Sequence, residues 1–255
     1  MSASLVEIFS SIQGEGLLIG ERQVFLRFAG CNLDCAYCDT PAAKTSPPVC
    51  RVERAPGAQD FEEQPNPMSA GEVREAVRRL VRPQPGLHHS VSLTGGEPLL
   101  QADMLLEVLP MLGDLGLRAF LETNGTLADE LRLVLPHLDV VSMDIKLPSS
   151  TRQAPMWGRH ERFLLALAAD DDRTRLDYAK CVVTADCDPG EVDQAARLIA
   201  GIRAEMALVL QPVTPTGPEI APPAPAQMLD LQATAKRHLS QVRVIPQMHR
   251  IAGYL

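Results

Sequence analysis

The feature that most restricts the fold is a regular alternation of strand-like and helix-like segments from residue 23 to the end of the chain. "QVFLRFA" (23–29) reads as a strand rich in Val and Phe, and "SVSLT" (90–94) as a buried one. "LRAFLE", "DVVSMDI", "LDYAKCVVT", "MALVLQ" and "VRVIP" follow as further strands. Helical spacing fills the gaps. "AGEVREAVRRLV" opens on the capping pair Ser69 and Glu72, and "DMLLEVLPMLGDLG" is interrupted by Pro110. "LADELRLVLPHL", "ERFLLALAA", "DPGEVDQAARLIAGIR" and a stretch from about Ala224 to His238 complete the set. Strand–helix units of this length predict an α/β fold whose parallel sheet is closed or partly closed into a barrel. "TPAAKTSPPVCRVERAPGAQDFEEQPNP" (40–67) is dense in proline and polar residues without a period, so it is expected to be a long surface loop. The 255 residues show no internal repeat. They read as a single domain over 1–255 with a Pro-rich surface insertion at about 41–67.

Chemistry in such folds gathers on the loops at the C-terminal ends of the strands. Four loops qualify: the cysteine-rich segment after the first strand, "TGGEP" (94–98), "ETNG" (122–125) and "QPVTPTG" (211–217). Each is polar or glycine-rich and follows an apolar strand directly. A net charge of −8 argues against a general nucleic-acid-binding surface. Glu7 stands where a signal peptide needs a basic start, and no apolar run reaches the ~18 residues of a membrane span. The expected compartment is the cytoplasm, which also suits six cysteines kept reduced.

Three of those cysteines, Cys31, Cys35 and Cys38, fall in "FAGCNLDCAYCDT" (28–40) with the spacing C-x3-C-x2-C. Three thiolates this close can converge on one metal centre. Structural zinc takes four ligands, and no second cysteine pair or His pair stands at finger spacing. An iron–sulfur cube held by three cysteines makes better sense of the count, because it leaves one iron open. Zinc and coincidence remain the alternatives on spacing alone.

C-x3-C-x2-C after the first strand resembles the signature of radical S-adenosylmethionine (SAM) enzymes, and "TGGEP" looks like the loop that superfamily uses to hold the methionine part of SAM. The resemblance covers roughly Val6 to Gln211. It implies a partial (β/α) barrel of the radical SAM type, a 4Fe-4S cluster, and cleavage of SAM to a 5′-deoxyadenosyl radical. "EIFSSIQGEG" (7–16), "KLPSS" (146–150) and "PQMH" (246–249), taken with the earlier motifs, narrow it from end to end to the family of 7-carboxy-7-deazaguanine synthases. That family converts 6-carboxy-5,6,7,8-tetrahydropterin to 7-carboxy-7-deazaguanine with release of ammonia, a step towards queuosine and other deazapurines. It uses Mg²⁺ and an electron donor such as flavodoxin or ferredoxin, and is typically a homodimer.

Carried over position by position, the resemblance assigns the cluster to Cys31, Cys35 and Cys38. SAM contacts go to Tyr37, Cys38 and Asp39, to Gly96, to Asp144, Ile145 and Lys146, and to Gln211, Pro212, Val213 and Thr214. Where many members show Ser-Pro-Lys, this chain has "DIK". The turn Ile12, Gln13, Gly14 and Glu15, with Arg27, Thr94 and His249, is implied to bind the pterin, and Thr40 to reach Mg²⁺. Leu255, six residues after His249, is implied to offer its terminal carboxylate.

Each residue also has a plainer reading. Arg27 in an apolar strand can be a structural ion pair, "QGEG" a glycine turn, His249 a solvated residue near a chain end, and Lys146 a strand-end surface lysine. Cys181 in "AKCVV" reads as core, Cys50 and Cys187 have no metal-ligand pattern nearby, and Asp170 to Asp172 read as a solvated loop. Two other functions compete: a glycyl-radical-enzyme activase, which shares the three-cysteine motif, and a non-catalytic iron–sulfur or zinc module. The enclosing "IQGEG" turn argues against the first, and the separate glycine-rich strand-end loops argue against the second.

Overall fold

The computed structural model describes residues 1–170, 172, 174–215, 217 and 219–254, so Asp171 of the acidic run and Leu255 lie outside the described residues. The chain starts with β1 (Ser2–Ala3), β2 (Leu5–Ile12), β3 (Arg22–Phe28), β4 (Val49–Glu53), β5 (Phe61–Pro65) and β6 (Met68–Ser69). It continues through α1 (Ala70–Val81), β7 (Ser90–Gly95), α2 (Ala102–Asp114), β8 (Arg118–Thr123), α3 (Ala128–Val134), β9 (Val140–Asp144) and α4 (Pro148–Thr151). The last elements are α5 (Trp157–Ala168), β10 (Leu176–Val183), α6 (Pro189–Arg203), β11 (Ala207–Pro212), α7 (Pro225–Lys236), β12 (Val242–Val244) and α8 (Met248–Ala252).

Ten strands form one sheet in the order β12-β11-β10-β9-β8-β7-β3-β2-β4-β5. From β12 to β3 every neighbour is parallel, as helical crossovers require; β2 then runs antiparallel to β3. The sheet is strongly curled. Five strand steps separate β2 from β10, about 24 Å in a flat sheet. Even so, Lys180 on β10 ion-pairs with Glu15, which lies only three residues beyond the end of β2. The order of strands leaves β12 and β5 as edges, so the barrel is partial.

Strand alternation sorts the core. Val24, Leu26, Val91, Leu93, Leu121, Ala179 and Cys181 face the helices and are buried in the main hydrophobic cluster. Phe120, Val140, Tyr178, Ala207 and Val209 form a second, smaller cluster on the concave side, with Leu17, Leu18 and Ile245 packed against it. The capping pair at α1 closes both ways: the Ser69 hydroxyl accepts from the Glu72 N–H, and the Glu72 carboxylate accepts from the Ser69 N–H at 2.7 Å. No helix of the described residues is long and apolar enough to cross a membrane.

Two sequence expectations change. The 40–67 segment is not an unstructured loop, because β4 and β5 form a hairpin that extends the sheet beyond β2. Its edge strand, "FEEQP", is polar and ends in proline, which hides the strand pattern and suits an edge. Pro110 does not interrupt α2. It sits exposed inside the helix, where water reaches the carbonyl one turn earlier that loses its N–H donor.

Candidate active site

Near its C-terminal end, each strand from β3 to β11 turns a polar side chain to the concave side. Arg27 stands in register with Thr94, Glu122 with Ser142, Asp144 with Lys180, and Val182 with Gln211. Deeper positions on the same face, Phe120, Val140, Tyr178 and Val209, pack against one another, and the polar side chains beyond them line a cavity of about 460 Å³. The stacked rings of Phe9 and Phe25, 5.1 Å apart, line the side nearest Arg27.

The cysteine loop leaves β3 through Gly30, whose φ of +93° suits glycine. It is pinned by backbone bonds from Glu97 N–H to Gly30 O (2.8 Å), Ala36 N–H to Thr151 O (3.0 Å) and Cys38 N–H to Cys35 O (3.0 Å). The "TGGEP" loop presses against it so closely that a Cβ on Gly96 would stand 2.0 Å from Gly30 O. The fully buried Glu97 carboxylate then fastens the next loop, accepting from Asn124 N–H at 2.7 Å, Thr123 Oγ1 at 2.8 Å and Leu99 N–H at 3.1 Å. Burial outweighs these bonds and lifts its carboxyl to about 7.

All three thiols are free and line the cavity. Among the described residues, the trio of ligand atoms lying within 4.8 Å of one another is Glu15, Asp39 and His249, so the three sulfurs are spread wider. Burial pushes the Cys31 and Cys35 thiols up, with Lys146 pulling Cys35 partly back, so ligating a metal has to displace protons.

Lys146 ties the end of β9 to the cysteine loop. Its ammonium lies 2.7 Å from Asp144 Oδ2, 3.4 Å from the Tyr37 hydroxyl and 5.4 Å from the centre of that ring. Burial disfavours the charge, but Asp144 and its other neighbours hold the pKa well above the usual lysine value. Two buried acceptors on residues that line the cavity, Asp144 Oδ1 and Gln211 Oε1, make no hydrogen bond to any described residue. They suit a ligand rich in N–H and O–H donors.

The opposite side is built by the turn after β2. Gln13 Nε2 donates to Glu122 Oε1 and Gln23 Oε1, both at 3.0 Å, while its Oε1 accepts from Glu15 N–H. Burial opposes ionisation of Glu15, but Lys180 and Gln247 prevail and hold its pKa at about 2. Gln247 bridges two carboxylates, donating to Glu15 Oε1 at 2.6 Å and Asp39 Oδ2 at 2.8 Å. Met248 N–H donates to Gly14 O at 2.9 Å, and the His249 ring lies where a Cβ on Gly14 would be. The C-terminal segment is thus strapped over the cavity. Arg27 gives its Nε to Glu7 Oε1 (2.9 Å), and its Nη1 lies 3.5 Å from Thr40 Oγ1, which donates to Asp39 Oδ1.

Of the residues expected from sequence, Ile12, Gln13, Gly14, Glu15, Arg27, Cys31, Cys35, Tyr37, Cys38, Asp39, Thr40, Thr94, Gly96, Asp144, Lys146, Gln211, Val213, Thr214 and His249 line one cavity. Ile145 and Pro212 do not. Alternation sends the Ile145 side chain into the main core, where it is fully buried. Leu255 is outside the described residues. Sequence reasoning missed Lys180, Glu122, Glu97 and Gln247. Lys180 carried the same signal as Arg27, a charge at a concave position of an apolar strand. Gln247, Glu97 and Glu122 sat unassigned inside motifs already singled out.

The family model of the radical SAM superfamily matches residues 26–196. The chain is 46% identical over 253 residues to the 7-carboxy-7-deazaguanine synthase of Geobacter sulfurreducens, covering 99% of this chain and 98% of that one. It is 35% identical to the synthase of the same name from Methanothermobacter thermautotrophicus, again covering 99% and 98%. The crystal structure of QueE from Escherichia coli shares the fold at a TM-score of 0.59 and 20% identity, over 98% of this chain and 95% of that one. A three-cysteine loop at the mouth of a partial barrel, with full-length similarity of this strength, places the chain: it belongs to the radical SAM superfamily and, within it, to the family of 7-carboxy-7-deazaguanine synthases.

Proposed function

We propose that this protein converts 6-carboxy-5,6,7,8-tetrahydropterin to 7-carboxy-7-deazaguanine with release of ammonia. The observation that carries the reading is a single cavity with two unlike halves: three thiols beside Lys146 on one side, and Arg27 with the Glu15–His249 strap on the other. When bound, a reduced 4Fe-4S cluster and SAM supply the radical that begins the chemistry.

The chain's own residues then have positional roles. Cys31, Cys35 and Cys38 hold the cluster. Tyr37, Asp39, Gly96, Asp144, Lys146 and the 211–214 loop hold SAM. The unpartnered Asp144 Oδ1 and Gln211 Oε1 support this, as acceptors for the ligand's amino and hydroxyl groups. Ile145 and Pro212 contribute backbone only. Arg27 keeps its Nη edge towards the cavity while Glu7 occupies Nε, so the guanidinium can fork onto the substrate carboxylate. Thr94, the 12–15 turn and His249 enclose the ring. Thr40 spends its hydroxyl proton on Asp39, which leaves oxygen lone pairs for Mg²⁺. A flavodoxin- or ferredoxin-type donor and a homodimer complete the proposal.

The test is anaerobic incubation of the reconstituted protein with SAM, a reductant and 6-carboxytetrahydropterin. Mass spectrometry should find the deazaguanine acid, with release of ammonia. SAM cleavage without any deazaguanine product would overturn the substrate assignment.

A further inference from the structure

One buried side chain touches two strand-end loops of the site without lining the cavity. His160, on the first turn of α5, is fully buried beneath the ends of β8 and β9. Its Nε2 lies 3.1 Å from the Lys146 main-chain N–H, and its Nδ1 lies 3.1 Å from Gly125 O. An amide N–H can only donate and a carbonyl can only accept, so Nε2 accepts and Nδ1 carries the proton. Both ring nitrogens are used in one neutral tautomer. Gly125, at φ +66°, is held hard against the same ring: a Cβ there would stand 2.8 Å from Met143 and 3.3 Å from His160 Nδ1.

The two backbone groups it joins lead to opposite arms of the cysteine loop. On one side, Asn124 Nδ2 donates to Asn32 Oδ1 at 2.8 Å, and Asn32 Nδ2 donates to Thr126 Oγ1 at 2.9 Å, gripping the residue after Cys31. On the other, Lys146 reaches the Tyr37 hydroxyl, between Cys35 and Cys38. Beyond the last paired residues of β8 and β9, Thr123 and Met143, a single imidazole therefore bridges the two loops that hold the two arms.

We infer that His160 is a positioning residue for SAM: by bridging Gly125 O and the Lys146 N–H, it fixes the spacing of the strand-end loops that hold the two arms of the cysteine loop. This rests on the reading of the cavity's thiol side as the cluster and SAM site. If the bridge is lost, two buried backbone groups lack partners and the loops move to find others. Asp144, Lys146 and Asn124 move with them, and the SAM side loosens while the Arg27 side keeps its own supports.

The test uses a matched pair. His160→Gln keeps a donor and an acceptor side by side, whereas His160→Met has much the same length and neither. Both are reconstituted anaerobically and checked for iron content and melting temperature. SAM affinity is read by equilibrium dialysis, and the spectrum of the reduced cluster is compared before and after SAM. The Met variant should bind SAM at least tenfold more weakly, with an altered SAM-induced spectral change. The Gln variant should stay within about threefold of the parent, and KM for the pterin should be unchanged in both. His160→Phe, which fills the ring's space without the bonds, carries the same expectation should the Met variant not fold. Parent-like SAM affinity in a folded Met or Phe variant would overturn the positioning role alone. A parent that binds no SAM would overturn the underlying site reading and this inference with it.

Discussion

Gly14 offers a sharp test of how the C-terminal strap works. Its φ lies outside the left-handed range, so alanine is acceptable to the backbone itself; the obstacle is His249. An added Cβ would lie 2.1 Å from His249 Nδ1 and 2.6 Å from its Cβ and Cγ, where ordinary contacts need at least 3.4 Å. Because the clash includes His249 Cβ, turning the ring does not relieve it, and the segment must retreat by about 1 Å. A shift of that size takes the 2.6 and 2.8 Å bonds of Gln247 and the 2.9 Å bond of Met248 N–H out of good geometry. Losing one charge-assisted bond costs ~1.5–3 kcal/mol, equivalent to about 10- to 100-fold in the affinity that strap closure supports. Gly14→Ala should therefore raise KM for the pterin by that factor and leave iron content as in the parent. In a His249→Gly background the same alanine should cost almost nothing. A Gly14→Ala enzyme with the parent's KM would refute the argument that the strap closes through this contact.

Cys31→Ala should abolish the brown chromophore and SAM cleavage, whereas Cys50→Ala, at a position buried between sheet and helix, should retain full iron content; iron analysis decides. Arg27→Lys keeps the charge but loses the fork, so pterin affinity should fall by ~1–3 kcal/mol in a direct binding assay while SAM affinity holds. His88 and His160 should each contribute a loss of stability as pH falls from 6.5 towards 4, while Glu97, lifted to about 7, contributes a gain as pH falls through 7. Burial lowers His88 and His160 to about 4, so the folded chain resists protons that the unfolded chain accepts. For the enclosed His160 the loss approaches roughly 3 kcal/mol at the acid end. A difference in urea midpoint between the parent and His160→Gln that stays level between pH 7.5 and 5 would contradict the His160 contribution.

The sequence displayed the parts of this molecule that depend on neighbours in the chain. The strand–helix period, the Ser69 cap and the C-x3-C-x2-C loop are all local patterns, and each is present in the fold. What it concealed is long-range. Lys180 gains meaning only when curvature brings Glu15 to it across five strand steps, and Gln247 only when the chain end returns to the turn after β2. His160 reads as one more polar residue ahead of an apolar helix until the ends of β8 and β9 are seen on either side of its ring. The β4–β5 hairpin was hidden for a different reason: β5 is polar and ends in proline, and the alternation of Cys50, Arg51 and Val52 in β4 is too short to stand out beside Pro47 and Pro48.

An incompletely closed barrel leaves two free strand borders, and these bear on how copies of the protein can meet. On one border β12 offers only three residues for pairing. On the other, β5 presents Glu62 and Glu63 and ends in Pro65, which has no amide hydrogen to give. Two such borders brought together would set like charges opposite one another or run out of ladder within a few residues. Continuing the sheet from molecule to molecule is thereby discouraged, which protects a concentrated solution from fibrous growth. Any stable pairing of two copies is directed instead to the helical flanks and the loop surfaces, where exposed Leu133, Leu165 and Leu229 are found.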